Sequence, residues 1–321
     1  MAAPELLAVL VPQFIGIIFN YLLFGVFIVQ LYLYVTFSIQ DPLPIKLFVY
    51  TIAILDTVQT GFLTDLSYGL LVTRWGDVEG LAHRPWTALT LLVVNGLVAA
   101  MIQIFFSWRI WVLSGKKLWS YLLSGFIVIV ALIQCLAAII SGARSAVISK
   151  TVSPIETVIA IFPGCVVWLA GSLLCDLIIT VSMFLLLTRS RRGTPFRRTE
   201  DLLTRMINLT LETGLATTIV AALELSLLVA RPYEEFHEAP GYALGKLYSN
   251  ALLATLNARH LRHASGEVSD ISMSIRSTNS MPGRRVLLSD DSDNHPPTEG
   301  KRSGGVVITT QTWKDAGATA V

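Results

Sequence analysis

Long apolar runs separated by short charged clusters occupy residues 1–258, and they predict the elements directly. Residues 6–40 and 118–143 hold no charged side chain at all. A helix needs about 20 apolar residues to cross the hydrocarbon core of a bilayer. By that measure the pattern predicts spans near 8–36, 46–72, 87–113, 118–143, 161–188, 204–230 and 240–258. The second tolerates Asp56 and Asp65, and the fifth is interrupted only by Asp176. The seventh is diluted by Gly241, Gly245, Lys246, Asn250 and Asn257. A six-span alternative leaves that stretch as a re-entrant or surface segment. The expected fold class is all-α: a polytopic membrane protein with seven transmembrane helices.

Basic residues set the expected orientation, because cytoplasmic segments are enriched in Lys and Arg. With seven spans and the N-terminus outside, inner segments carry eleven: Lys46, Lys116, Lys117, Arg189, Arg191, Arg192, Arg197, Arg198, Arg205, Arg259 and Arg262. Outer segments carry five: Arg74, Arg84, Arg144, Lys150 and Arg231. N-out, C-in is the expected topology. Met1–Val11 has no Lys or Arg, so the first run reads as a retained helix and not as a cleaved signal.

Composition agrees. The chain is 53% hydrophobic and 14% charged, with a mean hydropathy of +0.63, against roughly 25% charged in ordinary soluble domains. A formal charge of +2 gives no field for a polyanion, so no nucleic-acid partner is expected. The charge is uneven, however. Residues 259–321 hold 15 of the 46 charged side chains, with nine Ser, six Thr and Trp313 as the one aromatic. That composition predicts a disordered inner tail. The domain plan is therefore a bundle over 1–258 and a tail over 259–321.

Candidate chemistry lies in the polar groups that the spans carry. Ionisable residues at membrane depth are expensive and face the bundle interior. Asp56, Asp176, Glu212, Glu224 and Lys246 are of this kind. Helical spacing extends them into stripes: Asp56 with Gln59, Thr60 and Thr64; Asp176 with Ser172 and Thr180; Glu224 with Thr217 and Thr213; Lys246 with Asn250 and Asn257. Each stripe is either interhelical hydrogen-bond glue or part of a ligand-binding core. Glu224 and Lys246 each lie about six residues, or ~9 Å, from the outer ends of consecutive helices, and are expected to form an ion pair. Asp56 and Asp176 are expected near the midplane without a cation, neutral and hydrogen-bonded to neighbours such as Gln59 and Thr180. Arg189, Arg191, Arg192, Arg197 and Arg198 form a basic inner loop. It is suited to topogenesis, and also to anionic lipid or a cytoplasmic partner at 189–205.

Several chemistries are not supported. His83, His237, His260, His263 and His295 all fall in loops or the tail, so no metal site is expected in the bundle. Cys135, Cys165 and Cys175 lie in or beside apolar runs, which argues against a disulfide-stapled ectodomain. Lys246 in the last helix invites a retinal Schiff-base reading, but no span supplies an Arg-aromatic-x-Asp counter-ion motif like that of microbial rhodopsins. The third span ends in Trp108-Arg109-Ile110, not Asp-Arg-Tyr, and the seventh has no Asn-Pro-x-x-Tyr. Asn208-Leu209-Thr210 fits a glycosylation site but falls at an inner helix end. No phosphate loop or nucleophile elbow occurs. Neither an enzyme nor a cofactor is expected.

Five stretches do resemble a known family. They are Leu55-Asp-Thr-Val-Gln-Thr60, Ile102-Gln-Ile-Phe-Phe-Ser-Trp-Arg-Ile110, Arg198-Thr-Glu-Asp-Leu-Leu-Thr-Arg205, Leu211-Glu-Thr-Gly-Leu215, and the run from Lys246 to Arg259. They are similar to seven-helix membrane proteins of mushroom-forming fungi, whose C-terminal half is domain of unknown function 6534. The resemblance covers about residues 8–260, with that domain at about 170–259. It implies an integral membrane protein and carries no activity with it. The leading expectation is a receptor-like sensor that takes a small ligand into the bundle and signals through the basic loop and tail. The alternatives are a cation- or proton-coupled transporter or channel, and a membrane scaffold.

Overall fold

Every predicted apolar run folds as a helix. In the computed structural model, residues 3–37, 41–74, 86–148, 151–192 and 197–278 are described. They form α1 (Ala3–Phe37), α2 (Leu43–Tyr68, extended by a π-helical turn Gly69–Thr73), α3 (Trp86–Leu113), α4 (Leu118–Ile148), α5 (Pro154–Arg192), α6 (Arg197–Ala230) and α7 (Glu238–Thr278). A short 3-10 turn, Glu235–His237, precedes α7. No strand occurs among the described residues. One unit spans Met1–Ser272; a second, from Met273, is described only to Thr278. Helix thus continues through residues 259–278, while 279–321, most of the predicted tail, lies outside the described residues.

Helix ends follow local chemistry. α5 begins seven residues before its predicted start because Ser153-Pro-Ile-Glu156 is a capping box with proline in the first turn. Ser153 Oγ accepts from the Glu156 amide at 3.4 Å, and Glu156 Oε2 accepts from the Ser153 amide at 3.2 Å. Between α3 and α4 the chain reverses through Gly115 and Lys116, both left-handed at φ of 73° and 58°. Glycine takes that conformation freely, whereas Lys116 adopts it at a steric cost.

Six helical segments are long and apolar enough to cross a membrane: Leu10–Phe37, Leu43–Thr73, Thr90–Leu113, Leu118–Ile148, Glu156–Arg191 and Leu203–Ala230. Their outward faces carry Leu22, Tyr32, Leu122, Ile133, Leu185 and Ile219, all exposed. In water so much apolar surface would aggregate; against lipid it is solvated. These features define an integral, multi-pass membrane protein.

α7 does not reach that apolar threshold, yet its stretch 241–258 is closely enclosed. From Gly241 to Ala258 only Leu247 and Ala254 are less than fully buried. This stretch is therefore not a surface segment, although the helices long and apolar enough to cross a membrane number six among the described residues. Tyr248, Leu252, Leu253 and Leu256 join a core that also takes in Phe27, Ile52, Ile102, Ile127 and Met183 from α1–α5. Small residues bring α7 close to its neighbours. A Cβ on Gly245 would lie 2.7 Å from Asn95 Oδ1, and one on Gly241 would lie 2.7 Å from Glu224 Oε1. Glycine at these positions permits close helix approach.

Candidate functional site

Buried polar groups on α7 reach four other helices. The first centre is built on Lys246, which has no exposed surface. Its Nζ donates to the Asp56 carbonyl at 2.7 Å, to Asp56 Oδ1 at 3.2 Å and to Gln59 Oε1 at 2.9 Å, all on α2. The ammonium has three donors, and this site supplies an acceptor for each. Nζ also sits 5.2 Å from the centroid of the Phe24 ring on α1. Gln59 Nε2 passes the network on to Asn95 Oδ1 on α3, whose amide lies 3.5 Å from the Gly241 carbonyl. Ser249 places its hydroxyl against the Asp56 carboxylate. Spacing of three or four residues put Asp56 and Gln59 on one face of α2; burial of that face then brought both onto Lys246.

The second centre surrounds Asp176 on α5. Gln103 Nε2 on α3 donates to Oδ1 at 3.1 Å, and the Tyr248 hydroxyl on α7 donates to Oδ2 at 2.7 Å. Thr217 on α6 adds a side-chain hydrogen bond. Gln134 on α4 in turn donates to Gln103 Oε1. All these partners are neutral.

The third group lies toward the α6–α7 connection. Glu224 on α6 is 3% exposed; its Oε1 presses on the bare face of Gly241, and Oε2 is buried without a hydrogen-bond partner. Glu238 adds electrostatic repulsion. The Tyr242 hydroxyl lies 2.6 Å from Glu238 Oε2 and 2.9 Å from Gln13 Oε1, and Gln13 Nε2 continues to Ser67 Oγ at 2.9 Å. Asn250, one turn after Lys246, closes the network on the other side, bonding the Leu23 and Lys246 carbonyls at 3.0 and 2.8 Å and accepting from Gln30 at 2.9 Å.

Four expectations need correction. Lys246 pairs with Asp56 and not with Glu224. The prediction rested on helix order and equal depth, but the lysine side chain spans more than a helical turn and here reaches α2. For the same reason Asp56 does not lack a cation. Thr180 does not bond Asp176: it is buried against Gly214 on α6, while Gln103, Thr217 and Tyr248 take the carboxylate. Glu212 is exposed and is no part of the interior. At 100° per residue its twelve-residue separation from Glu224 turns it 120° off that face.

Of the basic segment, Arg189 and Arg191 are exposed on the last turn of α5. α5 extends through Arg192, and α6 starts at Arg197 and continues through Arg198. Residues 193–196 and the side chains of Arg192, Arg197 and Arg198 lie outside the described residues. Among the described residues no cluster of three His, Cys, Asp or Glu could hold a metal ion.

The polar stripes took in amides only where they shared a face with an ionisable group, as Gln59, Asn250 and Asn257 do. Gln13, Asn20, Asn95, Gln103 and Gln134 are all buried in the bundle, and an amide there demands partners as a carboxylate does. Treating every Asn and Gln within a span as a candidate would have found them. Tyr248 had a signal too, two residues after Lys246 and so roughly 200° around α7.

Residues 172–261 match a family of unknown function (DUF6534). That segment begins in mid α5 and takes in Asp176, Glu224, Lys246, Tyr248 and Asn250; Asp56, Gln59 and Gln103 come from outside it. No curated protein and no solved structure matches the chain.

Proposed function

We propose that the chain is a seven-span membrane protein, N-terminus outside and C-terminus inside, that acts as a receptor-like sensor without catalytic activity. A small ligand enters the outer half of the bundle and shifts α7, and the shift is read at the inner ends of α5 and α6 and by the tail. The supporting observation is the enclosure of α7, whose buried polar groups engage α1, α2, α3 and α5 and whose Gly241 lies against Glu224 of α6. A ligand acts only through its differential affinity for two states. A helix with hydrogen bonds to so many neighbours is the element through which a small displacement would reach all of them. The basic residues around 189–198 would hold anionic headgroups or a cytoplasmic partner. The test is to purify the intact chain in mild detergent and identify by mass spectrometry what stays bound. A stoichiometric small molecule or a signalling protein supports the reading; lipid alone counts against it.

A transporter reading draws on one specific observation, the neutral surroundings of Asp176. Such a carboxylate is suited to exchanging a proton or cation. In reconstituted vesicles the sensor reading expects no flux driven by pH or sodium gradients. Robust flux abolished by Asp176→Asn would replace it.

A further inference from the structure

Glu224 is a buried carboxyl group whose Oε2 has no hydrogen-bond partner among the described residues, and no cation is paired with it as Lys246 is with Asp56. Asp56 has Lys246, and Asp176 has three donors, from Gln103, Thr217 and Tyr248. Glu224 Oε2 has none, although the residue is 97% withdrawn from solvent. A carboxylate stripped of water and left without a donor loses the full desolvation cost of the group. Two nearby cations are committed elsewhere: Lys246 to Asp56, and Arg231 to Glu234 at 2.9 Å.

A second orphan lies close by. The indole Nε1 of Trp168 on α5 is buried without a partner, in a side chain only 5% exposed. Trp168 packs over Gly96 of α3 and against Leu228, one turn along α6 from Glu224. Asn95, beside Gly96, reaches the Gly241 carbonyl, and Glu224 lies on Gly241. The unsatisfied acceptor and the unsatisfied donor thus lie at the same level of neighbouring helices α5 and α6, beside α3 and α7. Leu92, Phe162 and Leu225 pack against the apolar cluster that contains Trp168 and Leu228, so the surroundings of the indole are apolar.

We propose that this junction binds a small organic amine: Glu224 takes its ammonium group, Trp168 Nε1 donates to a polar atom or packs on its body, and the leucines cover its apolar part. The inference rests on the intrabundle-ligand reading above and names the ligand class. Two acidic residues, Glu224 and Glu238, repel an anion. A divalent metal would want more ligands than the junction holds, since the described residues include no cluster of three metal-binding side chains. A monovalent organic cation needs only one carboxylate and an apolar wall.

The test uses the full-length chain in detergent with 2-phenylethylamine and its uncharged isostere 2-phenylethanol, and affinity is read by calorimetry. Loss of one charge-assisted hydrogen bond corresponds to about 10- to 100-fold in affinity. The amine should bind the wild type that much more tightly than the alcohol, and Glu224→Gln should abolish the difference. Should Glu224→Gln fail to fold, Gly241→Ala serves: its methyl falls against Glu224 Oε1 and should weaken the amine selectively. Equal affinity for amine and alcohol, as a permanently protonated Glu224 would give, overturns the proposal while leaving a ligand in the bundle. No binding of either compound to wild type also overturns it, and the sensor reading then stands or falls on what co-purifies with the chain.

Discussion

α4 and α7 face opposite problems. α4, Leu118–Ile148, contains no charged residue before Arg144 and turns Leu122, Ile129, Ile133 and Ile140 outward, all exposed. α7 carries Lys246, Asn250 and Asn257 within a stretch that is almost wholly buried. One helix is apolar because it must dissolve in lipid, and the other can be polar because protein surrounds it. Hydropathy thus measures exposure to lipid more directly than location in the membrane. The weakest predicted span is closely enclosed, and its polar groups hold the bundle together.

The sharpest way to break this contrast is to unpair the centre. Lys246→Met leaves Asp56 buried without its cation and should cost about 3–5 kcal/mol, read as lost yield and a lower unfolding midpoint. The double variant Asp56→Leu with Lys246→Met should regain most of that loss, because a buried pair adds little beyond a well-packed apolar replacement. A double variant no better than the single one would show that the two residues are not in contact. On α4 the reverse substitution should hurt: Ile133→Arg puts a charge against lipid at mid-helix, at about 2.5–3.5 kcal/mol of insertion free energy. Glycosylation-reporter insertion assays would check it, and wild-type insertion efficiency would show that Ile133 does not face lipid. The smallest effect is expected at Glu212, which is exposed: Glu212→Gln should alter stability by no more than about 0.5 kcal/mol. A large loss there would place it in the interior after all.

How much of this was legible in the sequence depends on which physical signal carried it. Apolar runs gave helices at all seven positions, since runs of that length have no other way to satisfy their backbone in lipid. The polar interior was legible as stripes on single helices, and Asp56 with Gln59 holds as one face. Pairing between helices was not legible. Lys246 could reach α2 or α6 at nearly the same depth, and only the packing of α7 among its neighbours decides for Asp56. Glu212 shows the limit of residue type without phase: it is acidic and within a span, yet its angle on α6 turns it outward. The amides Gln103 and Gln134 carried a readable signal, but charge drew the attention.

The central claim is that enclosed, polar α7 crosses the membrane with the other six helices. Epitope tags placed before Met1 and after Val321, probed in sealed vesicles with and without detergent, test it most directly. Seven spans with the N-terminus outside predict that the C-terminal tag is reached from the cytosolic side alone and the N-terminal tag from the opposite side alone. Both tags on the same side would give an even number of crossings and contradict the account.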